Sequence, residues 1–410
     1  MQVFYYIALK SFAFAIIIAS LFNKKARIFK YGRKNLFTEL ETTIPKNTAI
    51  AWFHCPSFGE FEQGRPLIEA YRKQHPEQKI LLTFFSPSGY EHCKNYQGAD
   101  YIFYLPLDSP RNARKFIDIV KPQVVFFIKY DFWHYFLKYL RKQKIRTYLV
   151  SAIFRPSQVF FKWHGSFFRN MLRAYTFLFV QNQTSVKLLE SIGITNVAIS
   201  GDTRFDRVWE LLEQSKTLPI LEQFCKTQPT IIAGSTWSED EEILATVYPT
   251  LPNCKMVIAP HQIHEEHIAT IEKQFAAFGV VRYSKCNENT SFQSVNILIL
   301  DTMGMLSSAY KYGQIAFIGG GFGAAGIHNA LEPAVFGVPI VFGPIYDMFH
   351  EACELVELGG TLVFKTKNEL ATILTQWLEK PEEGVAMGAI NKNYVAQNRG
   401  ATERIMREIN

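Results

Sequence analysis

The stretch IAFIGGGFGAAGIHNALEPAVFGVPIVFGP (Ile315–Pro344) decides how the chain is interpreted. It predicts a strand over Ile315–Ile318, a glycine-rich turn, a short helix and a second buried strand over Val338–Phe342. Glycines accept positive φ values and let the backbone approach a ligand closely. A helix that began directly after them would offer free N–H groups and a positive dipole end, which suit a phosphate.

Two residues within this stretch refine the prediction. Pro333 fits the first turn of the helix, where its missing N–H costs nothing. Glu332 would then lie at the mouth of the helix, where a carboxylate can accept both hydroxyls of a ribose. The glycine spacing matches neither the dinucleotide fingerprint nor the G-x-x-x-x-G-K-[ST] phosphate loop. The residues alone therefore leave two interpretations, a nucleotide site of another kind or a tight turn with a solvated Glu.

On both sides of this stretch, short apolar runs alternate with helical spans. Such runs are typical of parallel strands buried on both faces. The pattern predicts two doubly wound α/β domains that face a cleft, at 45–210 and 228–390, with a polar helical linker at 211–227 and a final helix at 391–410 that packs back on the first domain. Ligands of such sheets bind at the carboxyl ends of the strands. Candidate residues are therefore sought in the loops that follow strands.

The first 36 residues have a composition of their own. VFYYIALKSFAFAIIIASLF (Val3–Phe22) is interrupted only by Lys10 and is about long enough to cross a bilayer. No acidic residue precedes Glu39, whereas six basic residues follow the apolar run: Lys24, Lys25, Arg27, Lys30, Arg33 and Lys34. This pattern predicts attachment to a membrane through residues 1–36, with the body of the protein in the cytoplasm. Spanning the bilayer and lying in its interface both remain open.

Overall composition is that of a globular protein. The 410 residues are 48% hydrophobic and 20% charged, with a net charge of +7. Because the basic excess lies beside the apolar segment, it favours phospholipid as a partner over nucleic acid. The six cysteines form no C-x-x-C pair and are interpreted as reduced cytosolic thiols.

The loop after the first predicted strand carries a candidate catalytic group. In HCPSFGE (His54–Glu60), Ser57 and Gly59 are turn residues and Glu60 starts the following helix. A carboxylate at the carboxyl end of a strand can serve as a general base. The residues alone equally allow Glu60 to cap the helix, and His54 to be a core histidine.

Five segments in order resemble one family, the Kdo (3-deoxy-D-manno-octulosonic acid) transferases of lipopolysaccharide biosynthesis. The opening stretch is similar to the family's G-G-H-N-x-L-E-P-A-x-x-G-x-P-x-x-F-G-P run nearly throughout. The other four segments are AWFHCPSFGE (Ala51–Glu60), LLTFFSPSGYE (Leu81–Glu91), ISGDTRFD (Ile199–Asp206) and IIAGSTWSEDEE (Ile231–Glu242). The resemblance covers nearly the whole chain, including an N-terminal anchor followed by basic residues.

The resemblance implies a fold and a reaction. The fold is the two-domain GT-B glycosyltransferase architecture. The reaction is transfer of Kdo from CMP-Kdo to a lipid A precursor of the lipid IVA type, with inversion and without a cofactor or bound metal, at the cytoplasmic face of the inner membrane. Glu60 takes the role of general base. The implied CMP-Kdo site consists of Gly234, Ser235, Thr236, Gly319, Gly320, Gly321, Gly326, His328, Asn329 and Glu332.

Several positions depart from the family pattern. The usual E-x-E-x-W-P segment is replaced by KYDFWH (129–134), and N-A-R-[LM]-S-x-[RK]-S by SAIFRPSQ (151–158). Met305 stands where DTMG (301–304) would be followed by a Glu. On the donor side Trp237 stands where a His is common, and APHQIHEEH (259–267) replaces A-P-R-H-P-E-R. The acceptor-side candidates are Ser57, Lys129, Asp131 and Arg155, and the histidines of 259–267 are interpreted as the exposed start of a helix, not as metal ligands.

Other functions remain possible at this level. Another GT-B enzyme using a UDP-sugar on a lipid-linked acceptor, or a sugar-nucleotide epimerase, would have the same strand pattern. A membrane-attached scaffold with a degenerate site is a third reading. The joint presence of Glu60, the glycine turn and Glu332 disfavours that scaffold.

Overall fold

Fourteen strands form two parallel seven-stranded sheets in the computed structural model, which describes residues 1–409. The strand orders are β3-β2-β1-β4-β5-β6-β7 and β10-β11-β9-β8-β12-β13-β14. In the first sheet the chain winds outward from β1 to β3 and then crosses to β4–β7. In the second it runs from β8 to β9, passes to the edge strand β10, returns to β11 between β10 and β9, and then crosses to β12–β14. The places where direction reverses lie between β1 and β4 and between β8 and β12, and such switch points are where ligands bind in open α/β sheets.

The first compact unit comprises residues 1–207 together with the C-terminal segment from Arg399. Its strands are β1 (Ile50–Cys55), β2 (Lys79–Phe84), β3 (Tyr101–Tyr104), β4 (Pro122–Ile128), β5 (Arg146–Ala152), β6 (Phe177–Val180) and β7 (Val197–Ile199). Its helices are α1 (Gln2–Ala19), α2 (Lys24–Tyr31), α3 (Leu36–Thr43), α4 (Phe58–Gln74), α5 (Pro87–Cys93), α6 (Pro110–Val120), α7 (His134–Lys142), α8 (Ser166–Leu172), α9 (Gln183–Glu190), the start of α10 (Thr203–Glu213) and the final α19 (Ala401–Ile409).

Strand β1 shows why this sheet is buried on both faces. Trp52 points into one hydrophobic cluster and Phe53 into the other, because successive side chains of a strand face opposite ways. Both side chains are fully buried. The ring of Trp52 packs 4.9 Å from that of Phe116 on α6, and Phe53 stacks 4.5 Å from Phe126 on β4.

The second compact unit is Val208–Asn398. Its strands are β8 (Thr230–Thr236), β9 (Lys255–Pro260), β10 (Val280–Arg282), β11 (Ile297–Ile299), β12 (Ile315–Ile318), β13 (Ile340–Phe342) and β14 (Thr361–Val363). Its helices are the end of α10, α11 (Pro219–Cys225), α12 (Ser238–Val247), α13 (Glu265–Gln274), α14 (Leu306–Ala309), α15 (Leu331–Phe336), α16 (His350–Glu357), α17 (Lys367–Glu379) and α18 (Pro381–Asn398).

The predicted linker and final helix differ from the structure in detail. Residues 211–227 contain the end of α10 and all of α11, whose Leu221 and Phe224 are buried, so that this segment is part of the second unit. The expected helix at 391–410 is two helices, since α18 ends at Asn398 and α19 starts at Ala401. Gly400 breaks them with φ +94°, and the Asp206 carboxylate accepts the N–H groups of Gly400 and Thr402. The segment that packs on the first sheet is therefore α19 alone.

One face of helix α1 packs against the rest of the first unit. Its half-buried residues Tyr5, Leu9, Ala13 and Ile16 recur at helical spacing, and none of its residues is fully buried. The Tyr5 hydroxyl donates to the buried Asp108 carboxylate at 2.6 Å. Among the helices of residues 1–409, only α1 is long and apolar enough to cross a membrane.

Candidate functional site

Glu60 lies at the switch point of the first sheet. It follows β1 in the first turn of α4, where the Ser57 hydroxyl donates to its Oε2. Lys129, the residue directly after β4, brings its Nζ to 3.8 Å from Oε1. Lys129 has φ +69°, and its N–H donates to Val150 at 2.8 Å, which fixes the turn that aims the side chain. Three sequence-predicted residues, Ser57, Glu60 and Lys129, thus meet at one point.

Two arginines lie near Tyr130, the residue after Lys129, and one of them, Arg204, is paired with Asp202 at 2.7 Å. Burial raises the pKa of the Tyr130 hydroxyl, and the nearby guanidinium groups of Arg155 and Arg204 act in the opposite direction. Arg155 is exposed in the loop after β5, as the sequence suggested. Arg204 was not predicted, although it lies in the segment ISGDTRFD (Ile199–Asp206), which resembles the family. That match was the available signal, and the resulting surroundings suit an anionic substrate.

Asp131 has different surroundings from those expected of an acceptor-side residue. Its carboxylate is 8% exposed and contacts Nε2 of the fully buried His54. The other ring nitrogen of His54 is hydrogen-bonded to the Thr83 hydroxyl at 2.8 Å, which also accepts from Trp52 Nε1 at 2.7 Å. His54 and Asp131 therefore form a buried polar pair beneath the loop, and the carboxylate that faces outward is that of Glu60.

The second sheet brings the predicted donor-side glycines together at its own switch point. The Gly319 N–H after β12 donates to the Gly234 carbonyl on β8 at 2.9 Å. A Cβ on Gly319 would lie 2.4 Å from the Ser235 carbonyl oxygen, and one on Gly234 would lie 2.0 Å from the Tyr310 hydroxyl. Both positions therefore require glycine for close packing. The Thr236 hydroxyl turns the other way, donating to the buried Glu241 at 2.8 Å.

A buried carboxylate, Asp240, holds the glycine turn. Its Oδ2 accepts the Gly320 N–H at 2.8 Å and the Trp237 N–H at 2.9 Å. Burial raises the pKa of Asp240 to about 6, while the two amide donors act to lower it. The amide of Gly320 thus already has an anionic partner. Asp240 was not predicted from the sequence, because the acidic run at 239–242 is typical of the solvated first turn of a helix.

The prediction that a helix starts directly after the glycines is wrong. Helix α15 begins only at Leu331, and residues 319–330 form an ordered loop. The loop is closed by its own bonds, in which the Gly323 N–H donates to Gly320 at 3.0 Å and the Gly326 N–H to Gly323 at 2.9 Å. Gly326 has φ +74°, and its Cβ would meet the Phe349 ring at 2.8 Å. The loop itself, rather than the start of α15, therefore borders the space beside the turn.

Asn329 and Glu332 interact at the start of α15. The Asn329 side-chain amide donates to Glu332 Oε1 at 3.0 Å, and its oxygen accepts the Leu331 N–H at 3.1 Å. Asn329 thereby orients the Glu332 carboxylate and also accepts the first N–H of the helix. Glu332 is half-buried, so its side chain can still be reached from outside.

His328 belongs to a group of three parallel rings with Trp237 and His261. The His261 ring stacks 4.6 Å from Trp237 and 4.4 Å from His328. Trp237 Nε1 donates to His328 Nε2 at 2.9 Å, which requires His328 to be neutral with its proton on Nδ1. Burial, and secondarily the charge of His261, lowers the pKa of His328 to about 4. Of the other histidines of 259–267, His267 is hydrogen-bonded to Glu241 at 2.7 Å.

We expect this ring group to make the stability of the protein depend on pH through His328. The unfolded-state pKa is 6.5 and the folded value is about 4, so between these values the unfolded chain binds more protons. The free energy of unfolding should therefore fall as the pH drops through this window, and fall less in His328→Gln. Asp240, whose pKa is raised on folding, changes the free energy of unfolding in the opposite direction with pH. Its contribution is the same in wild type and in His328→Gln.

Chemical denaturation at a series of pH values measures this difference. His350→Gln is the matched control, because His350 is exposed and weakly paired with Glu354 at 3.5 Å. Equal pH slopes for wild type and His328→Gln would contradict the neutral, buried assignment of His328.

A cavity of about 350 Å³ opens between the glycine loop and the start of α12. Its lining includes Trp237, Asp240, Gly320, Phe322 and Gly326. Aromatic rings, small residues and backbone amides around such a volume are typical of a site for a planar base or a sugar.

Two doubly wound parallel sheets, each with polar loops at its switch point, define the GT-B class, which confirms the predicted fold. The fold is shared with the UDP-GlcNAc 2-epimerase of Neisseria meningitidis, with a TM-score of 0.62 and 18% identity over 88% of this chain and 99% of that one. Residues 27–207 match the family described as 3-Deoxy-D-manno-octulosonic-acid transferase (kdotransferase).

Full-length relatives agree with that match. The chain is 27% identical to the 3-deoxy-D-manno-octulosonic acid transferase of Aquifex aeolicus, over 85% of this chain and 92% of the relative. It is also 27% identical to the transferase of the same name from Haemophilus influenzae, over 87% and 85% of the two chains. The predicted resemblance is therefore confirmed: the chain is similar to Kdo transferases over most of its length.

Proposed function

We propose that this chain transfers Kdo from CMP-Kdo to a lipid A precursor of the lipid IVA type, with inversion at the anomeric carbon. One observation carries the proposal: the motif residues shared with the Kdo transferases gather at the switch point of each sheet. Glu60 and Ser57 gather in the first sheet, where Lys129, a departure from the family pattern, lies beside them, and the glycine loop with Ser235 gathers in the second.

Glu60 is the proposed general base. Its carboxylate takes the proton of the acceptor hydroxyl while that oxygen forms a bond to the anomeric carbon of Kdo. The Ser57 hydroxyl holds Oε2, which leaves Oε1 for the incoming proton. Lys129, Arg155 and Arg204 supply positive charge for the phosphates of the acceptor.

The second unit is proposed to hold CMP. The bond from the anomeric carbon to the phosphate oxygen breaks, and CMP leaves with the electron pair. Amides of the loop 319–330, with Ser235, stabilise the leaving phosphate. Glu332, oriented by Asn329, accepts the ribose hydroxyls, and the Trp237–His261–His328 rings offer a flat apolar surface beside them.

Attachment to the cytoplasmic face of the inner membrane is proposed through α1, lying in the interface. A helix that crossed the bilayer would have lipid on all sides, whereas Tyr5 of α1 is bonded to Asp108 of the folded unit. The outward face carries exposed apolar side chains, including Phe4, Ile7 and Phe14. Such a helix beside basic residues is suited to an anionic membrane surface.

The donor is tested by nucleotide protection and by product analysis. CMP at about a hundred times its Kd is expected to stabilise the folded protein by about 2.7 kcal/mol, and UDP at the same concentration by much less. With CMP-Kdo and a tetra-acylated lipid A precursor, mass spectrometry should detect the Kdo-bearing lipid. Protection by UDP but not CMP, together with no Kdo-lipid product, would replace this proposal with a UDP-sugar enzyme.

A further inference from the structure

A second cavity lies in the first unit, between α1 and the segment that leads into α6. Its volume is about 430 Å³, and its lining includes Tyr6, Leu9, Lys10, Leu107, Asp108 and Arg111. None of the motif residues at Glu60 contributes to it. The cavity is therefore separate from the proposed acceptor groups.

Two cations that form no ion pair within residues 1–409 border this cavity. Lys10 is the single charge within the apolar run of α1, and its Nζ lies 5.5 Å from the centre of the Tyr6 ring. Arg111 projects from the first turn of α6. Among residues 1–409, neither side chain forms an ion pair with a carboxylate. The positive charges of Lys10 and Arg111 are therefore available to an anion.

The backbone at the start of α6 adds a donor at the same place. Pro110 has no N–H, and the Asn112 N–H donates to the Ser109 hydroxyl oxygen at 3.2 Å. The Arg111 N–H has no partner among the described residues. The α6 helix is eleven residues long, so its dipole supports an anion at this end.

Asp108 is the one acidic group in the lining, and its carboxylate oxygens are already hydrogen-bonded within the protein. Its carboxylate accepts the Tyr5 hydroxyl at 2.6 Å and the Tyr135 and Phe136 N–H groups at 3.0 Å. It is only 1% exposed. It therefore fixes the wall of the cavity without blocking an anion that approaches Lys10 and Arg111.

The position of the cavity beside the outward face of α1 identifies the anion. Phe14, Ile17 and Ile18 on this helix are exposed apolar side chains, as a surface that meets acyl chains requires. We infer that the cavity binds the phosphate of an anionic phospholipid headgroup, whose acyl chains lie along α1. This inference rests on the membrane attachment proposed above, and it assigns that attachment a defined lipid site.

Co-sedimentation of the full chain with lipid vesicles tests the site. The double variant Lys10→Gln, Arg111→Gln is expected to bind phosphatidylglycerol-containing vesicles about thirtyfold more weakly than wild type, because it loses two basic contacts with the anionic surface. Binding to pure phosphatidylcholine vesicles, which depends on α1, should be unchanged. Circular dichroism and thermal unfolding check that the variant is folded.

A matched control separates a site from general electrostatics. Arg114→Gln with Lys142→Gln removes the same charge from exposed positions on α6 and α7 and should cost less than threefold in binding. Equal losses in both double variants, or no loss in the cavity variant, would overturn the site. Loss of wild-type binding to excess inorganic phosphate would show a phosphate site that is not selective for lipid and would also overturn it. Failure of every protein to bind any vesicle would instead refute the membrane attachment.

Discussion

Glu60→Gln is expected to lower the rate of Kdo transfer about 10³-fold, within the range lost when a general base is removed. The substituted amide keeps the shape of the side chain but cannot take the proton from the acceptor hydroxyl. It still offers an oxygen to the Ser57 hydroxyl, so the loop geometry is preserved. The change should appear in kcat, measured with CMP-Kdo and the lipid acceptor, while the affinity for CMP remains that of wild type.

The matched control lies on the same helix. Glu69→Gln removes a carboxylate from α4 that is paired with Arg65 at 2.7 Å, away from the switch point. It should cost less than about 1 kcal/mol of stability, as for exposed ion pairs, and leave kcat within twofold. If Glu60→Gln retained a tenth or more of wild-type activity, another group would have to serve as the base.

The strand pattern of this chain could be predicted from sequence because a parallel sheet buries both of its faces. The runs Arg146–Ala152 and Lys255–Pro260 have apolar centres, YLV and MVIA, and the structure places strands at those same residues. The matched motifs then identified the loops at both switch points. Continuous hydrophobic runs and ordered motifs are local signals, which a single sequence retains.

Features that depend on distant contacts could not be predicted in this way. Asp240 binds Gly320 across eighty residues, and nothing in its acidic run distinguishes a buried carboxylate from a solvated one. The late start of α15 depends on backbone bonds within 319–330 that no propensity encodes. The pairing of Asp131 with His54 likewise joins two strand ends that only the fold brings together.

Gly320→Ala is expected to weaken CMP binding about a hundredfold, because the turn cannot hold its shape with a side chain at this position. The backbone has φ +90°, and a Cβ would lie 2.5 Å from the Gly326 carbonyl oxygen. The left-handed conformation alone costs about 1–2 kcal/mol for a residue with a Cβ, and the clash adds a comparable amount. Relief of this strain requires moving the amide that Asp240 holds, and with it the loop that is proposed to face the phosphate.

Gly323→Ala provides the matched control within the same loop. Its φ lies outside the positive range, and the nearest atom to an added Cβ, the Gly320 carbonyl oxygen, is at an ordinary 3.6 Å. Thermal unfolding with and without CMP should therefore show normal protection for Gly323→Ala and little protection for Gly320→Ala. If both variants bound CMP as wild type does, the shape of the turn at Gly320 would not matter for the donor, and the nucleotide would have to be held by other groups of the second unit. If both lost binding equally, the loop would be sensitive to any added side chain, and the specific role of the positive φ at Gly320 would be refuted.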